Sequence, residues 1–253
     1  MASPKFKNLP SQIIHIPKTE STNQSLRLLA NAGKLADKSI VWTDFQTEGR
    51  GQAGNSWESE SGMNLLCSIL FYPSHLPARQ SFAILELAAL SVKHTLDRYV
   101  PDITIKWPND IYFQNKKISG ILIENEITER NITRSIIGTG INLNQTEFKS
   151  DAPNPISLSM ITGCSYDRKE FLNQLYALFT LLASEFEDKG LDGLHQQYCA
   201  SLYHRDGFHL YKDAKGSFDA RILTIELSGH LILERPDGTL SRYGFKEVQT
   251  DIN

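Results

Sequence analysis

A glycine-rich loop between two strand-forming segments constrains the fold of this chain more than any other feature. The loop occupies residues 49–54 (GRGQAG), and strand formers dominate 39–45 before it and 63–72 after it. The spacing matches GxGxxG, but a dinucleotide-binding unit needs a helix that opens at the third glycine, and a strand follows here instead. Asn55 also stands where a P-loop requires lysine. The pattern argues against both nucleotide folds. It predicts either an anion-binding strand–loop–strand with Arg50 as its cation or a plain surface connection.

A second motif, Lys106-Trp107-Pro108-Asn109-Asp110, begins where the apolar segment 103–105 ends. Proline cannot continue a sheet ladder, and Asn and Asp favour the turn that follows. Lys106 alternates with Ile105 and is therefore predicted to point to the opposite face of the strand. A lysine at the end of a core strand can enter a pocket as a point charge for phosphate or carboxylate. The alternative is a solvated lysine beside an ordinary turn.

Composition bounds the function classes. The 253 residues suffice for one large domain or for a medium and a small one. The net charge of -3 gives no global attraction to nucleic acid or anionic membrane. No uncharged apolar run approaches the ~20 residues that a membrane span needs. Three cysteines without a CxxC pair indicate a reducing cytoplasm and argue against a disulfide framework or a zinc site.

The hydrophobic patterns predict a mixed α+β domain followed by a small all-β unit. Polar residue types at 21–23 are typical helix caps, which is the role their pattern favours. Residues 144–155 turn polar and proline-bearing, which predicts a mobile loop. The predicted helices are 22–33, 81–99, 168–188 and a shorter one up to 200. The predicted strands are 39–45, 63–72, 103–107, 118–126, 131–142, 208–211, 218–226 and 230–234.

Five ordered blocks give the chain a resemblance to the biotin protein ligases. They are 19–24 (TESTNQ), 46–57 (QTEGRGQAGNSW), 106–110 (KWPND), 117–124 (KISGILIE) and 138–144 (GTGINLN), and 157–163 looks like the block that follows in the family. The resemblance implies an α+β catalytic domain with a mixed sheet flanked by helices, like that of class II aminoacyl-tRNA synthetases, over residues 1–203. It also implies a small SH3-like β-barrel over residues 204–253.

The resemblance also implies roles for individual residues. Lys106 and Arg50 are expected to be catalytic, with Lys106 at the biotin carboxylate and the α-phosphate. Expected biotin-binding residues are Ser21, Thr22, Asn23, Gln46, Gly49, Arg50, Gln52, Lys106 and Gly120. Expected nucleotide-binding residues are Arg50, Gly51, Gln52, Trp57, Asn109 and Asn142.

The implied reaction is a two-step acyl transfer with ATP and biotin as substrates and Mg²⁺ expected beside the triphosphate. Biotinyl-AMP forms first, and a lysine of a biotin carboxyl carrier protein domain then displaces AMP. The ligands of the metal and the base for the second step are not identifiable from the sequence. We expect a cytoplasmic monomer or homodimer that engages neither nucleic acid nor membrane. Gln52 stands where a cation is common, which predicts easier release of the adenylate, and Thr139 replaces a small apolar residue.

Two other assignments are weighed against this one. Lipoate or octanoyl ligases share the implied fold but lack the combination of KWPND and GRGxxG. Biotin-responsive repressors carry a winged helix before the TESTNQ block, whereas only residues 1–18 precede it here, without a helix-turn-helix pattern. Direct repression of transcription is therefore not expected.

Overall fold

A computed structural model describes residues 11–150 and 154–250 of the protein. It consists of one large mixed sheet with helices on both faces, followed by a smaller antiparallel sheet. The helices are α1 (Thr22–Asn31), α2 (Phe82–Leu96), α3 (Leu158–Thr162), α4 (Arg168–Lys189) and α5 (Leu191–Ala200). The strands are β1 (Ile13–Thr19), β2 (Ile40–Gln46), β3 (Leu65–Phe71), β4 (Leu76–Pro77), β5 (Ile103–Lys106), β6 (Asp110–Phe113), β7 (Lys116–Thr128), β8 (Asn131–Ile141), β9 (His209–Asp213), β10 (Gly216–Ile225), β11 (Leu231–Glu234), β12 (Leu240–Tyr243) and β13 (Val248–Thr250).

The large sheet has the strand order β1-β2-β3-β8-β7-β6-β5, and the short β4 pairs with β8. Only the β1–β2 pair is parallel, which makes the sheet mixed. All seven residues of β3 are buried, because α1 packs on one face and the other face belongs to the main core, where Phe71 contacts Phe179 of α4. The long β7–β8 pair lies beside it, so the middle of the sheet is rigid and can carry a site on its surface.

Helix α2 forms the centre of the main core. It is buried nearly all round because the sheet lies on one side and α4 and α5 cover the other. The shorter α1 packs on the opposite face of the sheet through Leu26 and Ala30, against Leu70 and Ile136. Helix α1 is only ten residues long and contacts β2, β3 and β8, and the cavity opens on this same face beside it.

The C-terminal residues form a five-stranded antiparallel sheet in the order β12-β11-β10-β9-β13, which fits an SH3-like domain. The chain leaves the large sheet where the amide of Ile105 donates to Ser201 O and the amide of Tyr203 donates to Ile105 O. The indole of Trp107 then donates to Gly229 O at 3.0 Å, which joins the two sheets. The predicted α+β fold class with a C-terminal β unit is therefore confirmed.

The predictions hold for the long buried strands and for the edge strand β5, and they fail for the other edge strands and for the short interior strand β6. Strands β1, β4, β6, β12 and β13 and the short α3 were not predicted. Strand β1 is an edge strand whose alternating exposed residues and internal Pro17 give a weak strand signal, and only an edge tolerates that proline. The predicted loop 144–155 is irregular over residues 144–150, and residues 151–153 lie outside the described part. Its predicted mobility stays a prediction.

Candidate active site

A cavity of about 1130 Å³ opens on the α1 face of the large sheet. Three segments from distant parts of the sequence form its walls: the start of α1, the glycine loop and the turn that follows β5. The far wall comes from the C-terminal sheet through Tyr211, Ile222, Leu231 and Lys246. Every site residue predicted from the sequence lines this cavity except Gly49. Gly49 lies at the base of the glycine loop, where its carbonyl accepts the amide of Trp57 at 2.9 Å.

The floor of the cavity consists of glycines on β7 and β8. A Cβ on Gly138 would overlap the side-chain amide of Asn23, and a Cβ on Gly140 would overlap the indole ring of Trp57. A Cβ on Gly120 would lie 3.0 Å from that same ring. Because two side chains rest directly on the strand backbone, these positions exclude any larger residue.

The start of α1 places a buried polar cluster at one end of the cavity. Gln46 Oε1 accepts the amide of Thr22 at 2.8 Å and its hydroxyl at 3.1 Å. The hydroxyl of Ser68 lies 2.7 Å from Thr22 Oγ1 and 2.6 Å from Asn23 Oδ1. Such a network fixes the orientation of each polar group before any ligand binds.

Ser21 differs from its predicted role as a helix cap. It occupies the N-cap position with extended backbone, but within the described residues its side chain makes no capping hydrogen bond. It is only 4% exposed and lines the cavity. Its hydroxyl is therefore available to a ligand rather than engaged by the helix.

The glycine loop folds back on itself over the cavity. An antiparallel bridge joins Arg50 to Ser56, and the amide of Gly51 donates to Asn55 O at 2.6 Å. Gln52 begins a short 3₁₀ turn that ends at Gly54 and faces the cavity. The guanidinium of Arg50 lies 3.7 Å from the carboxylate of Glu124, so an acidic residue of the floor holds the cation of the loop.

Lys106 enters the cavity from the end of β5, as its alternation with the buried Ile105 predicts. Its Nζ lies 5.2 Å from the centre of the Tyr112 ring, a cation–π contact. Burial lowers the pKa of Lys106, and two smaller effects act on it as well: Asp110 raises the pKa and Lys117 lowers it further. A desolvated ammonium gains more from an incoming anion than an ammonium in water does.

Lys117 is a cavity residue to which sequence reasoning gave no role. Its Nζ makes an ion pair with Asp110 at 2.7 Å and lies 5.8 Å from the centre of the Trp57 ring. It therefore reaches the same part of the cavity as the glycine loop. The sequence signal was weak, because the adjacent pair Lys116-Lys117 has the composition of an ordinary solvated turn.

Glu124 is a second residue without a predicted role. Its carboxylate accepts Asn23 Nδ2 at 2.8 Å and pairs with Arg27 at 3.0 Å, in addition to Arg50. It thus links α1, the sheet floor and the glycine loop. Its partners are distant in the chain, with Asn23 the farthest at 101 positions, and no local pattern indicates such contacts.

Two asparagines line the opposite wall. Asn109 Nδ2 donates to Ile121 O at 2.7 Å, which ties the turn after β5 to the floor. Asn142 Nδ2 donates to Ile156 O at 3.1 Å, whereas its buried Oδ1 finds no donor within the described chain. An unpaired buried acceptor costs about 1–3 kcal/mol, so a ligand N–H at this position would be stabilised.

Residues 11–150 and 154–250 contain no group of three or more His, Cys, Asp or Glu side chains that could hold a metal ion. No helix of that same part is long and apolar enough to cross a membrane. The cavity thus combines cations, a glycine loop and a polar cluster, which is a composition suited to an anionic organic ligand.

The chain matches the model of the biotin/lipoate A/B protein ligase family over residues 15–142. It therefore belongs to that family. The match includes the start of α1, the glycine loop, the turn after β5 and both floor strands, which are the elements that build the cavity.

Individual relatives agree with this assignment. The bifunctional ligase/repressor BirA of Bacillus spizizenii is 28% identical over 94% of this chain and 74% of its own length. The biotin--[acetyl-CoA-carboxylase] ligase of Paracoccus denitrificans is 25% identical over 88% of this chain and 94% of its own length. The structure of biotin protein ligase from Aquifex aeolicus in complex with biotin and ATP superimposes with a TM-score of 0.77 and 24% identity, over 96% of this chain and 99% of that one. That structural likeness establishes the shared fold.

Proposed function

We propose that the protein attaches biotin to a lysine of a biotin carboxyl carrier protein domain, through a biotinyl-5′-AMP intermediate. The observation that carries this proposal is the buried polar cluster of Thr22, Asn23, Gln46 and Ser68 at the end of a cavity lined by cations. The ureido ring of biotin presents two N–H donors and one carbonyl acceptor. A cluster of fixed amide and hydroxyl groups fits that ring better than it fits the apolar dithiolane of lipoate.

The cations of the cavity support the first chemical step. When the biotin carboxylate attacks the α-phosphate of ATP, negative charge develops on the phosphate oxygens and pyrophosphate leaves. Lys106, Lys117 and Arg50 line the region where that charge would develop. Preorganised donors of this kind contribute a few kcal/mol each to stabilising a transition state, and they act here on a partly desolvated ligand.

The remaining wall supports nucleotide binding. Two buried polar atoms have no hydrogen-bond partner among the described residues. Asn142 Oδ1 supplies one acceptor, and the indole N–H of Trp57 supplies one donor. We place adenosine against these two groups and Asn109, and biotin against the α1 end. In the second step the amine of the carrier lysine attacks the mixed anhydride and AMP leaves.

Several further assignments belong to the same proposal. Magnesium is expected to enter with the triphosphate, with phosphate oxygens and water as its main ligands, since Asp110 is already paired with Lys117. We propose a catalytic domain over 1–203 and an SH3-like domain over 204–253, acting as a monomer or homodimer in the cytoplasm without nucleic acid. Three free cysteines are compatible with a reducing compartment.

The test is exchange of labelled pyrophosphate into ATP, driven by biotin, lipoate or octanoate in parallel. We expect exchange with biotin alone. Comparing the exchange rates of Lys106→Ala and Lys117→Ala distinguishes the roles of the two lysines. Replacing the lysine nearer the α-phosphate is expected to lower the exchange rate by about 100-fold or more. Lys116→Ala, an exposed neighbour, is the matched control and keeps wild-type exchange. Exchange with lipoate in place of biotin would overturn the substrate assignment.

A further inference from the structure

A cluster of three reactive groups lies outside the cavity, between α2 and α5. Glu86 of α2 is almost fully buried, and its Oε1 lies 2.6 Å from Nδ1 of His195 on α5. The other ring nitrogen of His195, Nε2, lies 3.6 Å from Sγ of Cys199, one helical turn further along α5. The three side chains form a continuous thiol–imidazole–carboxylate chain.

The geometry fixes the role of each group. Glu86 is the buried member: burial raises its pKa, while the hydrogen bond with His195 lowers it, and as a carboxylate it orients the imidazole and stabilises its protonated form. The hydrogen bonds to Cys199 and Glu86 raise the pKa of His195 to about 10. The phenol of Tyr198 also faces the cluster; it is fully buried and burial raises its pKa well above the ordinary value, so it stays neutral. A cation next to a thiol stabilises the thiolate, which is the nucleophilic form.

The chain supplies its own comparison. Cys67 is buried in β3, where burial raises its pKa to about 12 and no reagent reaches it. Cys164 is exposed, and its Sγ donates a hydrogen bond to the carbonyl of Thr162 at 3.7 Å. Cys199 is half-buried and is the cysteine that contacts an imidazole. Exposure alone predicts that Cys164 reacts fastest with an electrophile, whereas activation of the thiol by a neighbouring imidazole predicts that Cys199 does.

We propose that Cys199 is a nucleophilic thiol activated by His195 and Glu86, and that it is a site of covalent modification by hydroperoxides and other soft electrophiles. With hydrogen peroxide, the thiolate sulfur attacks one oxygen. An S–O bond forms while the O–O bond breaks, and the sulfur is oxidised as the peroxide is reduced. The imidazolium of His195 gives its proton to the departing hydroxide, so the products are a sulfenic acid and water.

The position of Cys199 places this chemistry next to the active site. The neighbouring Tyr198 donates its hydroxyl to Pro108 O at 2.7 Å, within the turn that carries Lys106 and Asn109 into the cavity. The cluster itself does not line the cavity. Its reactivity is therefore measurable without reference to the ligase reaction.

The test is the rate of modification of each cysteine in the intact protein at pH 6.5, resolved by peptide mass spectrometry. Iodoacetamide at limiting concentration is one probe, and hydrogen peroxide followed by dimedone is the other. An ordinary thiol is about 1% ionised at this pH, and the lower intrinsic nucleophilicity of a stabilised thiolate offsets part of the gain. We expect Cys199 to react about 5-fold faster than Cys164, and His195→Gln to abolish this difference without changing the rate at Cys164.

Two measurements keep the test decisive. His94→Gln removes a comparable histidine, which is paired with Asp97 on α2, and leaves the rate at Cys199 unchanged. The wild-type profile between pH 5.5 and 8.5 needs no variant: the ratio of the Cys199 rate to the Cys164 rate is expected to fall as the pH rises, because a thiolate stabilised by a neighbouring cation persists to lower pH. Parallel profiles for both cysteines, or an unchanged Cys199 in a folded His195→Gln protein, would overturn the proposal.

Discussion

The contact between Gly138 and Asn23 provides the sharpest test of how the cavity is built. Gly138 lies on β8 beneath the side chain of Asn23, and a methyl group added there would overlap the Oδ1, Cγ and Nδ2 atoms of that amide. Asn23 is only 3% exposed and is held by hydrogen bonds to Glu124 and Ser68 at 2.8 and 2.6 Å. Gly138→Ala therefore forces a locked side chain to move.

The magnitude follows from the two contributions involved. Overpacking a rigid site costs about 1–3 kcal/mol. Losing a hydrogen bond costs about 1 kcal/mol, and more where the acceptor is a carboxylate such as that of Glu124. We expect the free energy of unfolding of Gly138→Ala to fall by about 2–4 kcal/mol, and the KM for biotin to rise at least about 10-fold because Asn23 leaves its place.

The matched control is Gly193→Ala in α5. It makes the same chemical change at an exposed helical position where the described structure has no heavy atom within 4 Å of the new methyl group. Alanine is the better helix former by about 1 kcal/mol, so this variant is expected to be slightly stabilised. Urea denaturation measures the free energy of unfolding of each variant, and pyrophosphate exchange against biotin concentration measures KM.

Wild-type stability together with a wild-type KM in Gly138→Ala would refute the reasoning. It would mean that Asn23 moves aside without loss, and that the glycines of the floor are not required by the close approach of Asn23 and Trp57. A stability loss of similar size in Gly193→Ala would refute it differently, because the effect would then belong to the glycine-to-alanine change itself.

Two further predictions concern charge. Gln52→Arg adds a cation to the glycine loop and should slow dissociation of the adenylate by about 5- to 30-fold, corresponding to about 1–2 kcal/mol of added phosphate interaction. Filter-trapping of the labelled adenylate measures the dissociation rate. The control is Gln196→Arg, which adds the same charge at an exposed position and should leave that rate unchanged. Burial, with smaller effects of His209 and Lys106, lowers the pKa of His204 to about 4. The unfolded chain therefore binds a proton between pH 6.5 and 4 that the folded chain does not, so stability falls as pH falls through this window. We expect His204→Gln to remove about 1–2 kcal/mol of that loss, after allowance for solvent screening, in urea denaturation at pH 7.5 and 4.5, and an unchanged pH dependence would contradict the assignment.

The core of the fold could be predicted because its elements are buried. Strand β3 and helix α2 are apolar over nearly their whole length, and their patterns indicate strand and helix without ambiguity. Strand β6 was not found because it has only four residues and begins two positions after Pro108, so its sequence reads as part of a turn. Pairing with β5 and β7 makes it a strand, and such pairing is a tertiary fact.

The residues of the candidate site also fall into two groups, those that local sequence motifs predict and those that only the fold brings together. The glycine loop and the turn after β5 are local motifs, and residues from both line the cavity. Ser68, Lys117 and Glu124 were missed because each acts through partners that the fold brings together. Ser68, for example, lies in the middle of an apolar strand, so its sequence context indicates only a packing role. Its hydrogen bond with Thr22 exists because α1 packs on that strand.

Trp57 shows how far sequence reasoning reaches. The family resemblance predicts that it binds nucleotide. In the structure Trp57 lies at the base of the loop and on the cavity floor: its amide donates to Gly49 O, which closes the loop, and its ring rests on Gly140 and Gly120. Its indole N–H is buried and has no acceptor among the described residues. A buried unpaired donor costs about 1–3 kcal/mol of stability, and a purely structural role for Trp57 does not offset this cost. A ligand acceptor in the cavity would remove the cost on binding. The unpaired N–H therefore favours the binding role that we propose for Trp57.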